Sequence, residues 1–335
     1  MKKILVFGGT QFIGRNLINR LIELGDYEIT LFNRQRTGAD LFPNTCKIKG
    51  DRTTDDIQQI ANTNWDYVID ISCYHPNDLE RTLACLNDNL ERYIFISTCS
   101  VYDNKAFVGE MRDENAPILD CSSEQITNKE MYRFYGNKKA ECERILTAKA
   151  SGKAKANINS VILRPALVYG RFDYTDRFYY WLYQVKMKDV LLLPDNGSRL
   201  FSITYVDDLV NSIIAALTLE TNKNTFNIIS ETQLSIDKII KTSQKLLNRN
   251  NKIVNASPSF LHDNKISQWT TMPLWIDNDN FTYANQQFLD NFPIKLVDFM
   301  EATASTIEYY KNLHWQEPKY GMSEEQRLLL INELS

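Results

Sequence analysis

Residues 6–14 read VFGGTQFIG. The apolar run ILVF (4–7) enters the glycine pair Gly8 and Gly9, and Phe12, Ile13, Leu17, Leu21 and Leu24 then recur at helical spacing until Gly25. A strand, a tight turn and a helix are therefore expected in immediate succession. Gly8 permits the turn, Gly14 lets the helix pack close to the strand, and the helix N-terminus offers free N–H groups to a pair of phosphates. Gln11 stands where a middle glycine would be expected, with Thr10, Phe12 and Ile13 around it. Its amide can itself donate a hydrogen bond to a phosphate oxygen.

Working outward, EITLF (28–32), CKIK (46–49), YVIDIS (67–72), YIFIS (93–97) and SVILRP (160–165) are short, apolar and rich in β-branched or aromatic residues. Such runs suit buried parallel strands, and their alternation with helical patterns predicts an α/β fold with a Rossmann doubly wound parallel sheet. The stretch AKASGKAKANIN before SVILRP has the composition of a solvated loop. After Pro165 the rhythm breaks. Residues 169–201 are aromatic and irregular, VDDLVNSIIAAL (206–217) is a helix and TFNIIS (225–230) one more strand. Beyond residue 231 helices and loops are expected, with amphipathic stretches near 296–313 and 323–333. The division is a dinucleotide-binding domain of 1–168 plus about 202–230, and a smaller mixed C-terminal substrate domain of 169–201 plus about 231–335.

Bulk properties narrow the classes. A formal charge of −4 lacks the clustered basic face that nucleic acid binding requires. Six cysteines, Cys46, Cys73, Cys85, Cys99, Cys121 and Cys142, show no CxxC spacing, as expected of reduced thiols in a cytoplasmic protein. His75, His262 and His314 are too scattered for a metal site, so none is expected. No run approaches the ~20 apolar residues that span a membrane.

The end of the second strand reads LFNRQR, presenting Asn33, Arg34 and Arg36 with no carboxylate. NAD selection usually places Asp or Glu there, whereas Arg accommodates a 2′-phosphate. NADP(H) is favoured, with NAD(H) the alternative. Of the 17 tyrosines, Tyr135 alone has a lysine four residues later, Lys139 in YGNKK (135–139). On a helix that spacing puts both on one face, where the ammonium favours tyrosinate and makes the phenol usable as an acid/base. YIFIS runs into TCSVY, so Thr98 and Ser100 lie at a strand's carboxyl end, where open α/β sheets carry their ligands.

GGTQFIG, STCSVY, YGNKK and RPALVYG, in this order and spacing, resemble the extended short-chain dehydrogenase/reductases, the NAD-dependent epimerase/dehydratase family, over roughly residues 1–230. The GGTxFIG turn and TDRFYYW (175–181) are most similar to an atypical branch that includes chloroplast stem-loop-binding proteins, which makes Gln11 a feature of the branch. The resemblance implies that Tyr135 is the acid/base, with Lys139 and Thr98 completing the catalytic set and Lys139 also holding the nicotinamide ribose. It also implies that Asp51, with Arg52 beside it, belongs to the adenine end of the cofactor site, and that Pro165 lines the nicotinamide pocket. The implied substrate is a nucleotide-linked sugar, with Tyr74, Ser100, Arg177 and Arg199 as its expected contacts.

Departures from the family pattern refine this. Sugar 4,6-dehydratases place Asp-Glu after the catalytic Thr; here Cys99 and Ser100 stand there, which disfavours dehydration. The diphosphate-clamping Arg expected before YVDD aligns with Phe201, leaving Arg199, Arg171 or Arg177 as substitutes. The leading expectation is an NADPH-dependent reductase of a dTDP-4-keto-6-deoxysugar. The alternatives are a nucleotide-sugar 4-epimerase, an RNA-binding or regulatory member of the fold, and a redox-sensing scaffold without turnover. The resemblance also implies a homodimer packed through two helices of each subunit, those near 78–90 and 135–150 being the candidates.

Overall fold

The computed structural model describes residues 1–105, 111–130, 132–150, 158–277 and 281–334. Most of the loop expected before residue 160 lies outside them. The first half contains β1 (Lys2–Phe7), α1 (Phe12–Leu24), β2 (Tyr27–Asn33), β3 (Cys46–Lys49), β4 (Tyr67–Asp70), α2 (Pro76–Ala84) and β5 (Arg92–Ile96). The short α3 (Ser123–Thr127), α4 (Tyr135–Ala150) and β6 (Ser160–Pro165) follow. With β7 (Leu167–Tyr169), α5 (Arg177–Met187), β8 (Val190–Pro194), β9 (Phe201–Tyr205), α6 (Val206–Ala216) and β10 (Thr225–Ile228), the chain returns to the main sheet. That sheet has seven strands in the order β10-β6-β5-β4-β1-β2-β3, all parallel. The order reverses between β1 and β4, which opens the ligand crevice of a doubly wound fold.

Side-chain alternation explains why these strands read as continuous apolar runs. Ile4 and Val6 of β1, like Ile94 and Ile96 of β5, point into one hydrophobic core, whereas Leu5, Phe7, Tyr93 and Phe95 point into the other. Both faces are covered, so neither can carry polar residues cheaply. Helix α1 ends where sequence predicts, at Gly25 with φ 72°, whose N–H bonds Leu21 O.

The remainder is more ordered than its sequence suggests. A three-stranded sheet forms in the order β11-β9-β7, with β11 at Glu231–Leu234, and β8 pairs in parallel with β12 (Lys252–Ala256). Residues 169–201 thus contain a helix and a strand, and the region beyond 231 contains two strands besides α7 (Ile236–Leu247), α8 (Pro258–Asp263), α9 (Gln286–Asn291), α10 (Phe299–Asn312) and α11 (Glu324–Leu334). The partners of β8 and β12 are about sixty residues apart, so neither run carries a local hairpin signal. The apolar core under α1 and α6 continues without a break through Trp181 and Trp275 to Phe288 and Ile331. No helix of the described residues is long and apolar enough to cross a membrane.

Candidate active site

The cofactor side is built from backbone. Gly8 has φ +93°, a conformation that L side chains avoid, and a Cβ on Gly14 would lie 2.0 Å from Gly8 O. Gln11 is the extended N-cap of α1, yet its exposed side chain makes no capping bond and no acidic residue occupies the first turn. The N–H groups at this terminus are therefore left for a ligand, and the site fits a dinucleotide pyrophosphate. Phe12 is buried at φ 29° with its ring 6.5 Å from that of Tyr174, while Thr10 and Ile13 are half-buried. Asn33 is occupied locally, its Oδ1 accepting from Gln35 N at 3.0 Å. Arg34 and Arg36 are exposed, and Arg34 Nη1 stands 3.8 Å from Asp51 Oδ2. Burial would raise the Asp51 carboxyl, but the Thr53 N–H and hydroxyl, with the charges of Arg34 and Arg36, bring it below its ordinary value.

Arg52 departs from expectation. Its guanidinium turns inward, bonding Asp70 through Nη1 and Nη2 at 2.8 and 2.9 Å and Thr82 Oγ1 at 2.8 Å, over the Phe7 ring. Asp70, fully buried, also accepts from Tyr93 OH at 2.6 Å. Burial would raise this carboxyl as well, but Arg52 holds it down. Arg52 thus serves a buried ion pair with Asp70.

On the catalytic side, Thr98 follows β5 and caps a short 3₁₀ turn at Cys99–Val101. Its Oγ1 accepts from Ser100 N at 3.1 Å and lies 3.2 Å from Ser100 Oγ. Helix α4 begins against this turn, since a Cβ on Gly136 would lie 2.1 Å from Ser100 O. That contact brings the preceding residue, Tyr135, to the Thr98–Ser100 turn. The half-buried Tyr135 ring lies 6.0 Å from Tyr74, which in turn lies 6.3 Å from Tyr132. Lys139 is buried and donates to Ile96 O at 2.7 Å, with Nζ 4.6 Å from the Phe95 ring and 5.4 Å from that of Tyr74. One donor is thereby used and two remain. Pro165 ends β6, buried opposite Ile228 of β10.

A second buried network, invisible in any single motif, fixes α4. Glu143, one turn beyond Lys139, accepts from Ser97 Oγ at 2.5 Å and from Arg164 Nε and Nη2 at 3.0 and 2.5 Å. Arg164 Nη1 donates to Tyr102 OH at 2.9 Å, and Tyr102 donates to Asn227 Oδ1 at 2.6 Å. The signal available in sequence was the i, i+4 step from Lys139 to Glu143; its partners Ser97 and Arg164 lie 46 positions before it and 21 after it. Among the described residues no cluster could hold a metal ion.

The candidate substrate arginines separate clearly. Arg171 pairs with Asp207 at 2.9 Å and Arg199 with Asp195 at 2.9 Å, while Phe201 is buried within β9. Arg177, at the start of α5, bonds only Thr175 Oγ1, at 3.3 Å through Nε, among the described residues.

A glycine turn feeding an uncapped helix, with a tyrosine–lysine helix packed beside a strand-end threonine, defines a dinucleotide-binding protein of the doubly wound class. The profile of the NAD dependent epimerase/dehydratase family matches residues 4–228, and the chain belongs to that family. It is similar in fold to the UDP-glucuronic acid 4-epimerase from Bacillus cereus in complex with NAD, at 20% identity and a TM-score of 0.70, covering 93% of this chain and 99% of that one. The Thermotoga maritima UDP-glucose 4-epimerase with UDP-glucose gives 17% and 0.72, over 93% and 99%. The Bacillus anthracis dTDP-glucose 4,6-dehydratase in complex with NAD gives 15% and 0.67, over 98% and 100%. In sequence, the chloroplast stem-loop binding protein of 41 kDa b from Arabidopsis thaliana is 26% identical over 260 residues. That match takes in 73% of this chain but 63% of the relative, less than two thirds of its length.

Proposed function

We propose that this chain reduces a nucleotide-linked keto-sugar, a dTDP-4-keto-6-deoxysugar first among candidates, using NADPH. The observation that carries this reading is the approach of α4 to the Thr98–Ser100 turn, with Gly136 against the Ser100 carbonyl. The turn from Gly8 to Gly14 and the free N–H groups of α1 would hold the pyrophosphate, Arg34 and Arg36 the 2′-phosphate, and Lys139 and Pro165 the nicotinamide end. Once bound, this cofactor supplies the hydride. Thr98 and Ser100 orient the sugar carbonyl oxygen by hydrogen bonding. Tyr135 gives that oxygen its phenolic proton as negative charge develops, and the remaining Lys139 donors steady the phenolate.

The absence of a carboxylate after β2 supports NADPH over NADH, since an acid there would repel the 2′-phosphate. The test is NADPH absorbance with a dTDP-4-keto-6-deoxysugar. Decay with the wild type that Tyr135→Phe abolishes supports the reading; a flat trace for both removes it. A nucleotide-sugar 4-epimerase is the second reading, favoured by the likeness to two 4-epimerases. NAD(H) released on denaturing the purified protein would favour it. A homodimer formed through α2 and α4 belongs to the same proposal and is read from the mass in solution.

A further inference from the structure

One row of side chains across the main sheet consists of Phe32, Phe7, Asp70, Phe95 and Ile162, each paired in register with the next. Asp70 is the one charged member of this row, and it is fully buried. A buried ion pair is weak support for a fold, since apolar residues of similar volume often serve stability as well or better. The placement of the charges says more. The Arg52 guanidinium lies 4.7 Å over the Phe7 ring, on one side of Asp70, and Lys139 Nζ lies 4.6 Å over the Phe95 ring, on the other. The carboxylate therefore stands between two cations, yet it bonds only one of them. Its Oδ1 accepts from Arg52 Nη1 at 2.8 Å and Ser72 N at 3.3 Å, and its Oδ2 from Arg52 Nη2 at 2.9 Å and Tyr93 OH at 2.6 Å. Lys139 bonds Ile96 O and keeps two donors.

Resting on the reading that Tyr135 and Lys139 are the acid/base of this crevice, we propose that Asp70 is a positioning residue, the counter-charge that supports the Lys139 ammonium without taking any of its N–H groups. A carboxylate bonded directly to Lys139 would occupy the donors that a phenolate and a cofactor ribose need. One clamped by Arg52 acts through space instead, where the low dielectric of the interior carries its charge further than water would. Burial would raise the Asp70 carboxyl, but Arg52, the Tyr93 hydroxyl and Lys139 hold it down, so it is present as an anion. By offsetting part of the field of Lys139 at Tyr135, it lets the phenol keep its proton until the substrate oxygen takes it. Loss of the carboxylate leaves a buried ammonium without an anion beside it and a phenolate too strongly favoured. Each ends turnover at lower pH. The other titratable groups facing this layer are Tyr93 of β5, Cys73 and Tyr74 after β4, Cys142 of α4 and, next to Arg52, Asp78 of α2. Glu143, one turn along α4, is spent on Arg164.

The experiment measures kcat and KM across the alkaline range with NADPH and a dTDP-4-keto-6-deoxysugar. Asp70→Asn combined with Arg52→Gln removes both charges and strands neither. Its alkaline limb of kcat is expected about one pH unit below that of the wild type, with KM unchanged. Tyr93→Phe removes a hydrogen bond to Asp70 but keeps the charge, so it should lower stability and leave the limb in place. If the first pair does not fold, Asp70→Leu with Arg52→Met fills the layer with apolar volume and is read in the same way. A limb that stays put in the charge-free variant, or that Tyr93→Phe moves equally, overturns the counter-charge alone. A wild type that leaves NADPH unoxidised removes the reductase reading, and the profile is then taken on UDP-glucose interconversion, which needs the same proton carrier. A wild type inactive in both assays overturns the counter-charge together with the acid/base it serves.

Discussion

The cofactor and catalytic sides of the crevice are held by opposite means. Around Gly8–Gly14 the geometry comes from backbone, with a left-handed glycine, a helix packed to within a methyl's width and an N-cap side chain that leaves its helix unsatisfied. Around Tyr135 it comes from buried side chains, with Glu143–Arg164 under α4 and Asp70–Arg52 beneath the end of β4. A backbone cradle tolerates changes in exposed side chains but not an added Cβ at its glycines. A charge network tolerates neither loss nor neutralisation of a member, because the surviving partner is left buried and alone.

Five perturbations test that contrast. Tyr135→Phe is expected to lower NADPH turnover about 10²–10⁴-fold while leaving denaturant stability near wild type, as removal of an acid/base group does. Arg164→Met should cost about 3–5 kcal/mol in denaturant unfolding, the penalty for an orphaned buried Glu143. Arg52→Met should cost a similar amount, and the dinucleotide Kd of the folded variant should not change; a Kd that rises in the folded protein would return Arg52 to the cofactor site.

Asp173 gives a pH signature. Burial raises its carboxyl from 3.8 to about 6 in the fold, so the native state holds the proton more tightly than the unfolded chain. The contribution of this one group to stability is therefore full below about pH 4 and is lost as pH rises through about 6, by about 3 kcal/mol at most. Asp173→Asn should flatten that decline in pH-dependent denaturation, and an unchanged slope would contradict the assignment. The smallest effect is expected of Gln11→Gly. A direct amide contact to phosphate predicts cofactor affinity weakened by about 0.5–1.5 kcal/mol, whereas equal or tighter binding would make the side chain a bystander.

The same contrast governs what could be read in advance. The cradle was legible because its requirements are local: Gly8, Gly14 and Gly25 lie within one strand–turn–helix, and the spacing of Leu17 and Leu21 fixes the buried face. Tyr135 and Lys139 were legible for the same reason, as neighbours on one helix. The role of Arg52 was not, because its partner Asp70 sits at the end of a different strand and only the sheet brings them together. The β8–β12 pair was hidden likewise: VLLLP and KIVNA meet across two intervening α-helices and three strands, and neither shows the period-2 alternation of a half-exposed strand.

The contacts that fix the loop before α5 come from far along the chain. Tyr310 OH donates to Asp173 O at 3.1 Å, Lys319 N to Asp176 Oδ2, and Tyr179 OH to Gln316 O at 2.6 Å. Two of the three use a main-chain atom of residues 316–319, so the sequence of that strap can drift while its grip persists. The exposed side chains of Gln316, Glu317 and Lys319 can then change without loosening the loop they hold.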